Sequence, residues 1–179
     1  MSLLLEMFPI ALMFGAPIII AALGGLFSER SGVVNVALEG IMMVGGFAAA
    51  SVTVGLEGSL PGYAPWIGMA VGTAAGIVFS SLHAVASVNL KADQVVSGTA
   101  LNILAGGLTV YLCQIIFRQQ RTRAFSTGLA KISVPVLKDI PLLGDMFFDG
   151  SYPTFYVAMA LVLVVYFVVY KTALGLRLR

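Results

Sequence analysis

The chain has 179 residues, of which 59% are hydrophobic and only 10% charged, and its mean hydropathy is +1.01. Soluble domains carry about 25% charged residues, so these charges are too few to cover a water-facing surface, and a soluble globular fold is excluded. The net charge of +2 is spread along the chain without a basic run, which argues against a nucleic-acid partner.

Windows free of Asp, Glu, Lys and Arg define the elements, because a helix needs about 20 mostly apolar residues to cross a hydrocarbon core of about 30 Å. Met7 to Ser28 is the first such window. It has no basic residues before it, unlike a secretory leader, and is retained as span one. Pro17 removes a backbone donor inside it and predicts a kink.

Ser31 to Leu56 holds one charge, Glu39, and reads as span two. Within SGVVNVALEGIMMVGG, Asn35 and Glu39 stand four apart, a spacing that places both on one face if the helix begins at Ser31. A carboxylate within the bilayer costs at least about 2.5 kcal/mol unless it pairs, snorkels or faces water. One reading lets Asn35 and Glu39 line a polar pathway or hold a broken helix beside it, for which Gly32, Gly40, Gly45 and Gly46 are suited. The other starts the span near Gly40 and leaves Glu39 at the interface, favoured by the helix dipole.

Pro61, Gly62 and Pro65 mark a turn, so span three runs from Trp66 to Val88. Gly68, Gly72 and Gly76 recur every fourth position and present a small face for close helix packing. His83 is the sole histidine, near Ser80 and Ser81, and reads as a hydrogen-bonded helix contact before a proton relay. In KADQVVSGTALNIL, Asp93 is a good N-cap for span four, Gln94 to Phe117. Gln94, Ser97 and Asn102 follow as candidates for interhelical bonding or pathway lining. Cys113 is the single cysteine; it reads as a buried small hydrophobe and allows no disulfide, redox pair or Cys/His metal cluster within one copy.

Residues 118–152 carry Arg118, Arg121, Arg123, Lys131 and Lys138 against Asp139, Asp145 and Asp149, with prolines at 135, 141 and 153. This composition predicts a long extramembrane loop, with room for a short surface helix. Gly150 to Tyr170 is span five, most apolar from Phe155 onward. The runs are too long and continuous for barrel strands, so the fold class is all-α: a polytopic membrane protein of about five helices. Five spans place the termini on opposite sides. Basic residues divide evenly between the two sides; weighting the short loops puts Arg30, Lys91, Arg177 and Arg179 in the cytoplasm and the long loop outside. No phosphate-cradling loop, Ser/His/Asp set or metal-ligand spacing is present, so no catalytic residue, metal or cofactor is assigned. An ion-coupled secondary transporter would need a paired intramembrane carboxylate, and a non-transporting scaffold would use the glycine faces for packing alone; an odd span count also suits one unit of an inverted-repeat transporter.

Three stretches go further. LGGLFSERSGVVNVALEGIMM (Leu23–Met43), KADQVVSGTALNILAGGLTVYL (Lys91–Leu112) and KTALGLRLR (Lys171–Arg179) resemble the permease subunits of bacterial ABC importers. Within the branched-chain amino acid and simple-sugar permease superfamily, the resemblance is to the nucleoside, basic-membrane-lipoprotein type, and it runs in order along the chain. It implies a multi-pass subunit of the bacterial cytoplasmic membrane that imports nucleosides or related small polar solutes, with simple sugars and branched-chain amino acids as alternatives. The implied partners are a separate ABC ATPase that hydrolyses the ATP, a second permease forming a heterodimer, and an extracytoplasmic substrate-binding lipoprotein, all within membrane lipid. Such permeases are nearly twice this length. Residues 1–179 are therefore expected to be the N-terminal part of a longer permease domain, ending where the loop that docks on the ATPase begins.

Overall fold

The computed structural model of the chain describes residues 2–133, 147–148 and 150–178, with backbone alone for residues 2–6. Its helices are α1 (Ser2–Arg30), α2 (Leu38–Leu56), α3 (Ala64–Ala84), α4 (Gln94–Phe117), α5 (Pro153–Lys171) and α6 (Ala173–Arg177). A π-helical turn, Val85–Asn89, prolongs α3. Among the described residues five helical segments are long and apolar enough to span a bilayer, and the one β-type pairing is an isolated bridge between Ile132 and Ser151. The expected all-α architecture with five spans is what the structure shows.

Boundaries differ in instructive places. Span four begins and ends where expected. Pro65 does not precede its helix but sits in the first turn of α3, and α5 starts at Pro153, three residues after the expected Gly150; in a first turn a missing N–H costs nothing because that donor has no partner in the helix. Of the two starts considered for span two, the structure supports the later: α2 begins at Leu38, close to Gly40, and not at Ser31. Gly32, at φ +81°, turns the chain out of the helical region, and residues 33–37 do not form a helix. Asn35 therefore lies outside α2 while Glu39 lies in its first turn, so the two do not share a helical face. Of the loop expected over 118–152, residues 134–146 and 149, with Pro135, Lys138, Asp139, Pro141, Asp145 and Asp149, lie outside the described residues.

The chain divides into two compact units, residues 1–31 with 129–179, and residues 32–128. In the first, α1 and α5 lie side by side. Near their starts, the Phe8 ring meets Phe147 edge-on at 5.1 Å, and Phe147 lies 6.2 Å from Phe155. At their ends, Arg30 donates to the Tyr170 hydroxyl at 3.0 Å and sits 5.1 Å from the centre of its ring. The two helices therefore run parallel. Thr172, in an extended conformation, stops α5, and Gly175 of α6 lies so close to the Val169 backbone that any Cβ would collide with it.

In the second unit α2 packs against both α3 and α4. Small residues make the α2–α3 approach possible. A Cβ on Gly72 would fall 2.6 Å from the Gly45 carbonyl oxygen and 2.8 Å from the Ala49 Cβ, and one on Gly68 would meet the Thr53 hydroxyl and the Ala49 carbonyl. Gly76 is looser, with Ile41 Cγ2 3.6 Å from its Cβ position. Thr53 is buried between these helices and donates to the Ala49 carbonyl at 2.8 Å.

Candidate functional site: the broken start of α2 and its polar clasp

The non-helical stretch before α2 has backbone groups that must be satisfied without water if it lies at membrane depth. Side chains from α4 do this. Gln94 Oε1 accepts from the Val34 N–H at 2.7 Å, and Asn35 Oδ1 accepts locally from the Ala37 N–H at 3.1 Å. Asn102 is the centre of the arrangement. Its Nδ2 donates to the Val36 carbonyl at 2.9 Å and its Oδ1 accepts from the Gly40 N–H at 2.8 Å.

Val36 C=O and Gly40 N–H are an i, i+4 pair, the two groups that would bond to each other if the helix began one turn earlier. The Asn102 carboxamide is inserted between them. It caps α2 from a neighbouring helix, in place of the side-chain cap that Ala37 at the N-cap position does not supply. Two glycines make room: a Cβ on Gly40 would come within 2.9 Å of Asn102 Oδ1, and one on Gly98 within 2.8 Å of Val36 Cβ and 3.1 Å of the Ala37 nitrogen.

A second polar knot adjoins it. His83 is buried at 3% exposure on α3, with Ser97 Oγ 3.0 Å from Nδ1 and Ser87 Oγ 3.5 Å from Nε2. Ser87 reaches the ring from the π-helical turn, a local widening of the helix that often marks functional positions. Asp93 caps α4, accepting from the N–H groups of Val95 and Val96 at 2.8 and 3.0 Å, in the role its sequence position suggests.

The structure thus brings Asn35, Gln94 and Asn102 onto one seven-residue connector and places Ser97 beside them on His83. Glu39 does not join. Its side chain is exposed on the first turn of α2 and has no hydrogen-bond partner among the described residues. Gly68 and Gly72 lie in the α2–α3 seam, away from the connector. Sequence reasoning gave no role to Val36, Ser87 or Gly98. Gly98 had a legible signal, a small residue next to Ser97 and midway between Gln94 and Asn102 on the same helix; the π-helical turn had none.

At the other end of this unit, Glu57 directly follows α2 and clasps the loop that leaves α4. Glu57 Oε1 accepts from the Ser126 N–H at 2.7 Å, from the Ser126 hydroxyl, and from the Thr127 N–H at 3.0 Å. The Ser126 side-chain and backbone bonds, then that from the Thr127 N–H, hold the carboxyl below its usual range by favouring the ionised form.

Five helical segments of this length and apolarity among the described residues define a multi-pass helical membrane protein. More narrowly, the chain belongs to the family described as the branched-chain amino acid transport system permease component, whose profile matches residues 8–179. It is 42% identical over 171 residues to the guanosine ABC transporter permease protein NupQ of Bacillus subtilis, covering 96% of this chain and 54% of that protein. It is 40% identical over 168 residues to the nucleoside ABC transporter permease protein NupC of Lactococcus lactis, covering 94% and 53%. A putative glucose ABC transporter permease protein, TsgC13 of Haloferax volcanii, is 35% identical over 165 residues, covering 90% and 46%. The chain spans about half the length of the curated relatives it matches. No solved structure matches it.

Proposed function

We propose that this chain is part of a permease subunit of an ATP-driven importer that carries nucleosides across the cytoplasmic membrane. The observation that carries this reading is the likeness to two permeases named for guanosine and nucleosides, at 42% and 40% identity over nearly the whole chain. ATP hydrolysis falls to a separate ATPase subunit, in keeping with relatives named as the permease proteins of ABC transporters. A second, similar permease and an extracytoplasmic substrate-binding lipoprotein complete the importer. The segment after α4, described from Arg118 to Ser133, faces outward, where the lipoprotein sits, and the ends at 31–37 and 90–93 face the cytoplasm.

The broken start of α2 fits a transport role. A connector whose bonds come from side chains of another helix can exchange them as helices shift, whereas a continuous helix cannot. Gln94 and Asn102 position the connector and Asn35 shapes its turn. Ser97 and His83 tie its flank to α3. Glu39, exposed on the first turn of α2, is left to face the pathway or a neighbouring subunit.

A simple-sugar importer is the second reading, favoured by the 35% identity to the putative glucose permease. Uptake of tritiated guanosine, glucose and leucine should be compared in cells with and without the permease gene, in its chromosomal setting with the partner subunits intact. Loss of guanosine uptake alone supports the nucleoside reading. Loss of glucose uptake with guanosine uptake unchanged rejects it.

A further inference from the structure

Between α2 and α4, toward the Glu57 end, the second unit holds a groove of about 270 Å³, open along one side. The α2 wall includes Gly46 and Phe47, the α4 wall Thr109 and the buried Cys113, and the mouth Gln120 and Thr122 from the segment after α4. The walls are mainly apolar and the mouth is polar. That distribution suits a ligand with a flat apolar body and hydrogen-bonding edges, and the volume approaches the lower end of small-molecule sites, about 300 Å³.

Several details favour a polar solute over a lipid chain. The Gln120 carboxamide and the Thr122 hydroxyl have no hydrogen-bond partner among the described residues, and an acyl chain would leave both unused. Thr109 donates its hydroxyl proton to the Ala105 and Gly106 carbonyls at 2.8 and 3.1 Å, so its oxygen remains free to accept from a ligand. Phe47 is half-buried and enters no ring pair among the described residues, leaving its face to a planar guest. A carboxamide presents a donor and an acceptor side by side, the complement of a purine's polar edge.

We propose that this groove is a nucleoside-binding site on the import pathway, with the base against Phe47 and its polar edge at Gln120 and Thr122. The proposal rests on the nucleoside reading and adds the place where the substrate binds. The groove runs from the middle of α2 toward its Glu57 end, away from the α2 connector, so a solute entering from the loop side meets it before it meets the Asn102 clasp.

Gly46 offers a clean perturbation. A Cβ there meets no atom within 4 Å and the position lines the groove, so Gly46→Leu directs added volume into it. Phe47→Leu removes the stacking face and keeps an apolar side chain. Cys113, the sole cysteine, supplies a native reporter inside the same groove.

In membrane vesicles containing the assembled importer, guanosine uptake should fall at least tenfold for Gly46→Leu while co-purification of the ATPase is unchanged. Phe47→Leu should raise the KM for uptake about tenfold, as expected for a lost base–aromatic stack. Guanosine should slow modification of Cys113 by a small methanethiosulfonate reagent, read on the Cys113 peptide by mass spectrometry. Wild-type uptake by Gly46→Leu, an unchanged KM for Phe47→Leu, or Cys113 modification indifferent to guanosine would each overturn the proposal. Slower modification on adding phospholipid but not guanosine would also overturn it, assigning the groove to lipid. If the unaltered importer takes up no nucleoside at all, the nucleoside reading fails first, and that outcome is distinct from transport that bypasses the groove.

Discussion

Replacing Asn102 tests the interpretation of the α2 break most directly. Asn102→Leu keeps the branching at Cγ, with bulkier methyl ends, and removes both bonds, to Val36 C=O at 2.9 Å and from Gly40 N–H at 2.8 Å. Interhelical hydrogen bonds in membrane proteins contribute about 0.6 kcal/mol on average and up to about 1.7 kcal/mol each. Two of them give about 1–3 kcal/mol. The upper part of the range applies if the two backbone groups stay apart and unsatisfied, and the lower part if they close on each other and extend α2 by one turn. Asn102→Asp separates bonding from shape. It keeps the acceptor for Gly40 but turns the donor into a second acceptor facing the Val36 carbonyl, so at pH 7.5 it should cost at least as much as Asn102→Leu. The assay is equilibrium unfolding of the purified full-length permease in mixed micelles titrated with sodium dodecyl sulfate. If both variants unfold within about 0.5 kcal/mol of the parent, the carboxamide is not what holds the connector, and the argument for a clasp fails.

Gly72→Ala should destabilise the same preparation by about 1–3 kcal/mol, because its Cβ would stand 2.6 Å from the Gly45 carbonyl oxygen, whereas Gly76→Ala, with its nearest atom at 3.6 Å, should change little in the same titration. The Glu57 clasp should depend on pH in one direction. Its carboxyl is held below the usual glutamate range, so the stabilisation is fully present above that range and is lost as pH falls through the lowered value. Proteolysis after Arg123 should therefore accelerate in acid for the parent, using an acid-active protease, and be fast at every pH for Glu57→Gln; equal rates for the two at neutral pH would refute the clasp. Gly128→Cys, exposed and clear of the Glu57 bonds, should react with a membrane-impermeant maleimide added to intact cells, and protection there would invert the proposed topology.

The sequence makes the spans legible because charge exclusion from lipid is a strong and local rule. It placed both ends of α4 correctly, since Asp93 signals the start and Arg118 follows the last apolar residue. For the start of α2 it left two readings open, Ser31 or near Gly40; α2 begins at Leu38, in line with the second, and the reason local sequence could not choose is physical. Ser31 to Ala37 is as apolar as a helix, and what keeps it from being one is a left-handed glycine at 32 together with an amide 66 residues away from Val36. No window on the local sequence contains Asn102. Helical spacing suggested that Asn35 and Glu39 act together. The structure instead groups Asn35 with Gln94 and Asn102, because a broken backbone recruits partners by need rather than by periodicity. The glycines at 68 and 72 were readable as packing positions from spacing alone; which helix they meet was not.

The two clasps give α2 a particular mechanical status. One end is capped by a carboxamide from α4, the other is followed by a carboxylate that binds the segment beyond α4, so α2 and α4 are tied at both ends by side-chain to backbone bonds. Between the ties, small residues admit α3 on one side, at the Gly45–Gly72 contact. On the α4 side, Gly46 and Ala50 leave the groove unfilled. A helix pair fastened at its ends and hollow in its middle can hold a solute without coming apart, and each tie can be released by exchanging one side chain's bonds. Because the ties lie at opposite ends of the helices, they can open one at a time, which is the mechanical requirement for exposing an interior site to one side of a membrane and then the other.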